Sequence, residues 1–251
     1  MATARFRFYA ELNDFLLPEM RGRDLNRRFD ASGSVKDFIE SFGVPHTEVD
    51  LVLVNGEPVG FSYRLRNGDA VSVYPVFESF DIASVSRVRA APLRELRFTL
   101  DVHLGRLAAY LRMAGFDAEY ANNASDPALA RAAQLTGRVL LTRDRYLLMR
   151  SNLDRGYWVR SANPKEQFAE VLRRFQLADS MRPFTRCMPC NGELRLVQLD
   201  AVRETVPERA RSQPEFRQCA KCGRVYWEGT HHARMTRLLE WATNRLKLLD
   251  Q

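Results

Sequence analysis

Four cysteines stand in two pairs with the spacing of metal-binding knuckles. Cys187 and Cys190 enclose two residues, as do Cys219 and Cys222. The N-terminal residues alternate Arg and Phe instead of forming the apolar run of a secretory signal, so we expect a cytoplasmic chain with reduced thiols. Two CxxC knuckles complete a tetrahedral Cys₄ site, and we predict a structural zinc ion there, with thiol redox chemistry as the alternative.

The sequence around these cysteines predicts a zinc ribbon. Segments 193–199 and 224–227 are expected to be its strands, and the 28 residues between the cysteine pairs exceed the common spacing, so the ribbon has a longer loop. His231 and His232 follow the second knuckle as alternative ligands. The adjacent rings of Tyr226 and Trp227 could stack on RNA or pack in the ribbon core.

Three aspartates form a second group of residues that could bind a metal ion. Asp101 ends a predicted strand, Asp126 opens a predicted helix, and Asp144 follows another strand by two residues. Ligands bind at the carboxyl ends of parallel strands, where these residues would converge. Close carboxylates repel unless they share a cation, and oxygen ligands suit Mg²⁺ or Mn²⁺. Taken singly, each could instead cap a helix or form an ion pair.

Strands alternating with helices are expected to position these aspartates in a parallel α/β domain. The predicted strands are 96–100, 116–120, 139–142 and 157–159. The predicted helices cover 104–113, 126–135 and 146–150, and a longer one starts at Asn163 and Pro164 and runs to Phe175.

The N-terminal residues predict a separate α+β domain with the order ββαββ. Its predicted strands are 5–8, 24–29, 51–54 and 70–76, and Ser34 begins a helix that ends at Gly43. The phrases at 52–56 and 65–71 resemble the ubiquitin-like β-grasp fold related to small sulfur carriers. The chain has no terminal diglycine at this point, so the resemblance implies a module that docks a protein partner.

The predicted organisation has four segments. They are a β-grasp domain at 1–80, a linker at 81–95, the parallel α/β domain at 96–180, and a zinc ribbon with a C-terminal helix at 181–251. Thr230 is expected to begin that last helix, whose apolar stripe at 235, 238, 239, 242, 246 and 249 indicates core packing.

Several phrases resemble one known family. The segments 100–108, 111–117, 126–133, 139–145 and 157–161 are similar to the Mut-seven C-terminal RNase family of PIN-like nucleases, and the resemblance continues through the cysteine region. It implies that Asp101, Asp126 and Asp144 are the acidic residues of a nuclease centre. Broader PIN domains have a further acid, for which Asp117 and Glu119 are candidates.

Charge supports a polyanionic partner for most of the chain. Residues 1–80 carry 9 basic and 12 acidic side chains, residues 81–180 carry 16 and 11, and residues 181–251 carry 13 and 8. The net charges of these three stretches are therefore −3, +5 and +5. The positive charge of residues 81–251 favours a nucleic-acid partner. Arg106, Arg112, Arg143 and Arg145 are the predicted RNA contacts. The apolar runs are too short for a membrane span.

The sequence thus predicts a metal-dependent ribonuclease that hydrolyses RNA phosphodiester bonds at an aspartate-bound Mg²⁺ or Mn²⁺ ion. The alternative is a non-catalytic RNA-binding or adaptor protein with a β-grasp docking module, because a fold does not guarantee activity.

Overall fold

The computed structural model describes residues 1–30, 33–75, 85–88 and 96–249. The predicted linker at 81–95 therefore lies outside the described residues, except for 85–88. The chain divides into two compact units, which are described separately. The first unit contains Met1–Glu95 and Asp126–Trp158, and the second contains Leu96–Ser125 and Val159–Gln251.

The elements are numbered in chain order. The strands are β1 (Ala2–Phe8), β2 (Leu25–Phe29), β3 (Val49–Val54), β4 (Glu57–Pro58), β5 (Ala70–Pro75), β6 (Phe98–Leu100), β7 (Ala118–Tyr120), β8 (Val139–Thr142), β9 (Gly156–Trp158), β10 (Leu194–Val197), β11 (Phe216–Cys219) and β12 (Val225–Trp227). The helices are α1 (Val35–Ser41), α2 (Gly105–Met113), α3 (Asp126–Thr136), α4 (Arg145–Leu148), α5 (Pro164–Arg174), α6 (Leu199–Val202) and α7 (Thr230–Leu249). Within the described ranges, every helix is too short or too polar to cross a lipid bilayer.

The first unit begins with a five-stranded sheet in the order β2-β1-β5-β3-β4. Strand β1 runs parallel to β5 and antiparallel to β2. Period-two alternation buries Phe6 and Phe8 and leaves Arg5 and Arg7 exposed. The predicted β-grasp architecture is confirmed, with β4 as an added strand that pairs after the Asn55–Gly56 turn.

Helix α1 covers one face of this sheet. Ser34 and Asp37 form the predicted capping box, in which Ser34 Oγ accepts the Asp37 N–H and the Asp37 carboxylate accepts the Ser34 N–H. The buried side chains of Val35 and Ile39 then pack with Phe6 and Phe8 in the core.

Residues 126–158 complete the first unit with α3, β8, α4 and β9. Strands β8 and β9 pair in parallel, as their alternation with helices predicts. All four residues of β8 are buried, so the strand is a continuous apolar run that ends at Thr142.

The second unit combines a parallel strand pair, helices and the cysteine region. Strand β6 is parallel to β7. Strands β10, β11 and β12 form an antiparallel ribbon, in which β11 is a strand that the sequence did not predict. Helix α7 buries Leu239, Ala242 and Leu246 from the predicted stripe.

Candidate functional site

The four cysteine sulfurs come together in the second unit. The Sγ atoms of Cys187 and Cys222 are 3.6 Å apart, and those of Cys190 and Cys219 are 3.4 Å apart. All four atoms lie within 4.8 Å of one another. Zinc–sulfur bonds of about 2.3 Å in a tetrahedron put the sulfurs roughly 3.8 Å apart, so this donor set fits one zinc ion.

Backbone N–H groups of the second knuckle point at its first sulfur. Cys219 Sγ accepts from the N–H groups of Lys221 at 3.4 Å and Cys222 at 3.5 Å. Burial raises the pKa of Cys219, but these N–H groups, together with hydrogen bonds from the thiols of Cys190 and Cys222, outweigh burial and lower the pKa to about 7. Burial raises the pKa of Cys190 to about 12. The knuckle therefore favours a thiolate at Cys219.

Gly192 allows the two knuckles to approach. A Cβ atom at this position would lie 2.8 Å from Cys219 Sγ and 2.8 Å from Lys221 Cβ. Both distances are shorter than van der Waals contact, so a side chain at residue 192 would push the sulfurs apart. Its backbone also accepts the Cys187 N–H at 2.7 Å, which closes the first knuckle.

Arg112 on α2 holds the same knuckle from the other side. Its guanidinium donates to the carbonyl oxygens of Ala118 at 2.7 Å, Met188 at 2.8 Å and Pro189 at 2.9 Å. The residue is only 4% exposed. The predicted RNA contact by Arg112 conflicts with this placement, because its donors are directed to backbone carbonyls inside the unit.

Asp117, a candidate for the further acid of the centre, also contacts the knuckle. Its Oδ1 accepts from Asn191 Nδ2 at 2.6 Å, and its Oδ2 lies 3.9 Å from Arg186 Nη2. Asn191 in turn accepts the Ala118 N–H through Oδ1 at 3.2 Å. Asp117 thus joins β7 to the cysteine region. Glu119 lies on β7 with an exposed side chain.

The histidines near the second knuckle lie outside the sulfur cluster. The His232 ring packs against Phe184 with centroids 4.3 Å apart and an angle of 39° between the ring planes, and His231 is exposed. Tyr226 places its hydroxyl oxygen 3.1 Å from Cys187 Sγ, and Trp227 packs against the small core under the ribbon. These contacts favour the packing interpretation of the two rings.

Asp101 directly follows β6 in the second unit. It is 4% exposed, and its backbone carbonyl accepts the Leu104 N–H at 2.9 Å. Its side chain makes no capping hydrogen bond to the turn at Val102–Leu104, which argues against the simple helix-cap interpretation. His103 and Arg106 follow with exposed side chains.

Asp126 and Asp144 lie in the first unit. Asp126 is the exposed first residue of α3. Asp144 follows β8 by two residues, and its Oδ1 accepts the Tyr146 N–H at 2.8 Å as the cap of α4. The Asp144 N–H donates to Thr142 Oγ1 at 2.9 Å, which fixes the turn at the strand end. The carboxylate is exposed and suited to a hard cation.

The two arginines beside Asp144 differ in surroundings. Arg143 is exposed. The guanidinium carbon of Arg145 lies 3.8 Å from the ring centroid of Trp158, a cation–π contact that orients the side chain. This role of Trp158 could not be predicted from the sequence, because its position in an apolar strand indicates only packing.

Two family models match this chain. Residues 96–239 match the family model described as the Mut7-C RNAse domain, and residues 1–81 match that described as Mut7-C ubiquitin. No curated protein matches. A solved structure described as a putative molybdopterin converting factor, subunit 1, from Pyrococcus furiosus is 18% identical over 30% of this chain and 98% of its own, with a TM-score of 0.25. That score is too low to support an argument.

Proposed function

We propose, from the premise that this chain belongs to the Mut7-C RNAse family, that it is a metal-dependent ribonuclease. The observation that carries the proposal is the family match over residues 96–239, which contains three aspartates at strand ends and a helix start. A nuclease-type function follows from the family. The substrate, the metal and the residues named below are the finer proposal.

Asp101, Asp126 and Asp144 are the proposed ligands of Mg²⁺ or Mn²⁺. Carboxylate oxygens are the donors that these ions prefer. When bound, such an ion supplies hydroxide at neutral pH and stabilises the leaving oxygen of a phosphodiester. The turn at Thr142–Tyr146 supports this role for Asp144, because it holds Oδ1 on the Tyr146 N–H and directs the carboxylate to solvent.

Three arginines are the proposed phosphate contacts. Arg106 and Arg143 are exposed. The guanidinium carbon of Arg145 lies 3.8 Å from the ring centroid of Trp158, and the planar guanidinium of arginine is a group that suits phosphate. Contacts of this kind supply affinity that does not depend on base sequence.

The Cys₄ cluster is proposed to hold structural zinc. Four thiolates fill a tetrahedral site and leave no position for substrate. The hydrogen bonds from Arg112 to the knuckle carbonyls support a role in holding the second unit together. The N-terminal domain, which matches Mut7-C ubiquitin, is proposed to bind a protein partner.

Cleavage of a labelled single-stranded RNA, measured with and without Mn²⁺, tests the ribonuclease proposal. We expect Mn²⁺-dependent cleavage by the wild-type chain and a loss of about a hundredfold or more in Asp144→Asn, because that change removes a charged ligand. Asp179→Asn, at an exposed aspartate of the turn Ala178–Ser180, is the matched control.

Two results would reject the proposal. An RNA cleavage rate that is the same with and without Mn²⁺, and the same in wild type and Asp144→Asn, would indicate a contaminating nuclease. RNA binding without cleavage by the wild-type chain would favour the adaptor function.

A further inference from the structure

Trp158 contacts the residues on both sides of Asp144. Its indole Nε1 donates to the carbonyl oxygen of Arg143 at 3.3 Å. Its ring carries the guanidinium of Arg145, whose Cζ lies 3.8 Å from the ring centroid. The peptide before the aspartate and the side chain after it are therefore both held by one aromatic residue.

The N-terminal domain in turn holds Trp158. The Trp158 N–H donates to Glu48 Oε1 at 2.5 Å, and Glu48 is 1% exposed. Phe15 packs against the indole with ring centroids 5.2 Å apart, and its ring centroid lies 5.3 Å from the Arg145 Cζ. A hydrogen bond between buried groups is costly to break, because the separated donor and acceptor would stay out of water, so Glu48 fixes the backbone of Trp158.

The turn His46–Glu48 bonds the same segment at two further points. His46 Nε2 lies 2.8 Å from the Leu153 carbonyl oxygen, and Thr47 Oγ1 donates to the Leu148 carbonyl oxygen at 3.2 Å. All three side chains of this turn are buried. Breaking such bonds leaves buried polar groups without partners, which makes the contact rigid and specific.

Gly156 permits this close approach. A Cβ atom there would lie 2.4 Å from Leu148 Cδ2 and 3.4 Å from Thr47 Oγ1. The N-terminal domain and the segment from Asp144 to Trp158 are thus fitted to each other along their length, which differs from a module held only by a flexible tether.

We propose that Trp158 is a positioning residue for Asp144 and that Phe15 and Glu48 of the N-terminal domain hold Trp158 in place. The inference rests on the proposed function, in which Asp144 is a metal ligand. The indole fixes the carbonyl that precedes Asp144, and the ring face fixes the guanidinium that follows it. A displacement of about 1 Å in such a site lowers a rate by roughly a hundredfold.

Two variants of the full chain separate the contacts. Trp158→Leu removes both the indole donor and the ring face. Trp158→Phe keeps a ring for Arg145 and removes only the hydrogen bond to the Arg143 carbonyl. Trp241→Phe, on a partly buried tryptophan of α7, is the matched control. Thermal unfolding establishes which variants are folded at the assay temperature.

Two readouts are measured on each folded variant. The first is RNA cleavage as a function of Mn²⁺ concentration, which yields kcat and the Mn²⁺ concentration for half-maximal rate. The second, which needs neither RNA nor metal, is hydrogen exchange of the Tyr146 amide, because that N–H is bonded to Asp144 Oδ1.

We expect Trp158→Leu to lower kcat by about tenfold or more, to raise the half-maximal Mn²⁺ concentration, and to speed Tyr146 exchange. Trp158→Phe should have smaller effects in the same direction, and Trp241→Phe should match the wild type. Wild-type exchange of Tyr146 in Trp158→Leu, with or without an activity loss, would overturn the proposal. If Trp158→Leu does not fold, unchanged exchange in Trp158→Phe would overturn it instead.

A failure of the ribonuclease proposal can be distinguished from a failure of the proposal for Trp158. A wild-type chain that cleaves no RNA in Mn²⁺ rejects the ribonuclease proposal. The exchange of the Tyr146 amide then decides alone whether Trp158 positions Asp144.

Discussion

The guanidinium of Arg112 donates a hydrogen bond to the carbonyl oxygen of Met188, 2.8 Å away. Met188 lies inside the first cysteine knuckle, and Arg112 lies on the helix that follows Asp101. The carbonyl is available to Arg112 only while the knuckle keeps its shape. The proposed zinc ion therefore stabilises the helix after Asp101 as well as the ribbon.

Removal of zinc should lower the thermal unfolding midpoint of the chain by about 10 °C or more. Structural zinc contributes its binding free energy to folding, and Arg112 would lose two of its partners. Differential scanning fluorimetry before and after treatment with a chelator measures the shift, and elemental analysis measures the zinc. Readdition of zinc is the control. A well-folded chain that contains no zinc and has an unchanged midpoint would contradict this prediction.

Gly192→Ala should weaken zinc binding by about tenfold or more. The new Cβ would lie 2.8 Å from Cys219 Sγ, so one knuckle has to move. Competition with a chromogenic chelator measures the affinity. Gly229→Ala is the matched control, since a Cβ there meets only the Trp227 side chain, at 3.4 Å or more. Equal affinities in the two variants would contradict the prediction.

The cysteine cluster could be predicted from sequence because it depends on local spacing. Each CxxC encloses two residues, and their pairing requires only that the knuckles meet. The partners of Arg112 could not be predicted in this way, because Met188 lies 76 positions along the chain. An arginine on an amphipathic helix predicts a solvent-facing charge, and its burial depends on the packing of a distant loop.

Thr47→Val should destabilise the chain by about 1 kcal/mol or more. Valine keeps the shape of threonine but leaves the buried Leu148 carbonyl without the hydroxyl donor that it has in the wild type. Urea unfolding measures the free-energy difference. Thr136→Val, at an exposed helix position, is the control and should stay within about 0.5 kcal/mol of the wild type. An equal effect in both variants would argue against a specific contact at Thr47.

Asp37→Asn should lower stability at neutral pH and have less effect in acid. The hydroxyl of Ser34, and then its backbone N–H, lower the pKa of the Asp37 carboxyl. The stabilisation is therefore fully present above the ordinary aspartate pKa and is lost as the pH falls through the lowered value. We expect a loss of about 0.5 kcal/mol at pH 7, because Asp37 is exposed and a carboxylate in the first turn of a surface helix contributes only a modest stabilisation.

Unfolding of Asp37→Asn and wild type at several pH values measures this difference. Asp30→Asn, at an exposed bend, is the control. A difference that stays constant from pH 7 to below the ordinary aspartate pKa would exclude a contribution from the ionised Asp37.

The family and most elements could be predicted from the sequence, and both are confirmed. Capping residues such as Ser34 and Asn163 mark helix starts within a few positions, so local patterns suffice. Strand β11 was missed because its residues, Phe216 to Cys219, lack alternation and pair only through their neighbours. The contacts of Trp158 with the residues beside Asp144 could not be predicted, because its hydrogen-bond partners lie 15 and 110 positions away.

The central claim is that Asp101, Asp126 and Asp144 share one divalent ion. The most direct measurement is the anomalous difference density of a crystal of the chain soaked in Mn²⁺. The account predicts one Mn²⁺ peak at bonding distance from carboxylate oxygens of all three residues, with loss of the peak in Asp144→Asn. A peak elsewhere, or carboxylates too far apart to share an ion, would contradict it.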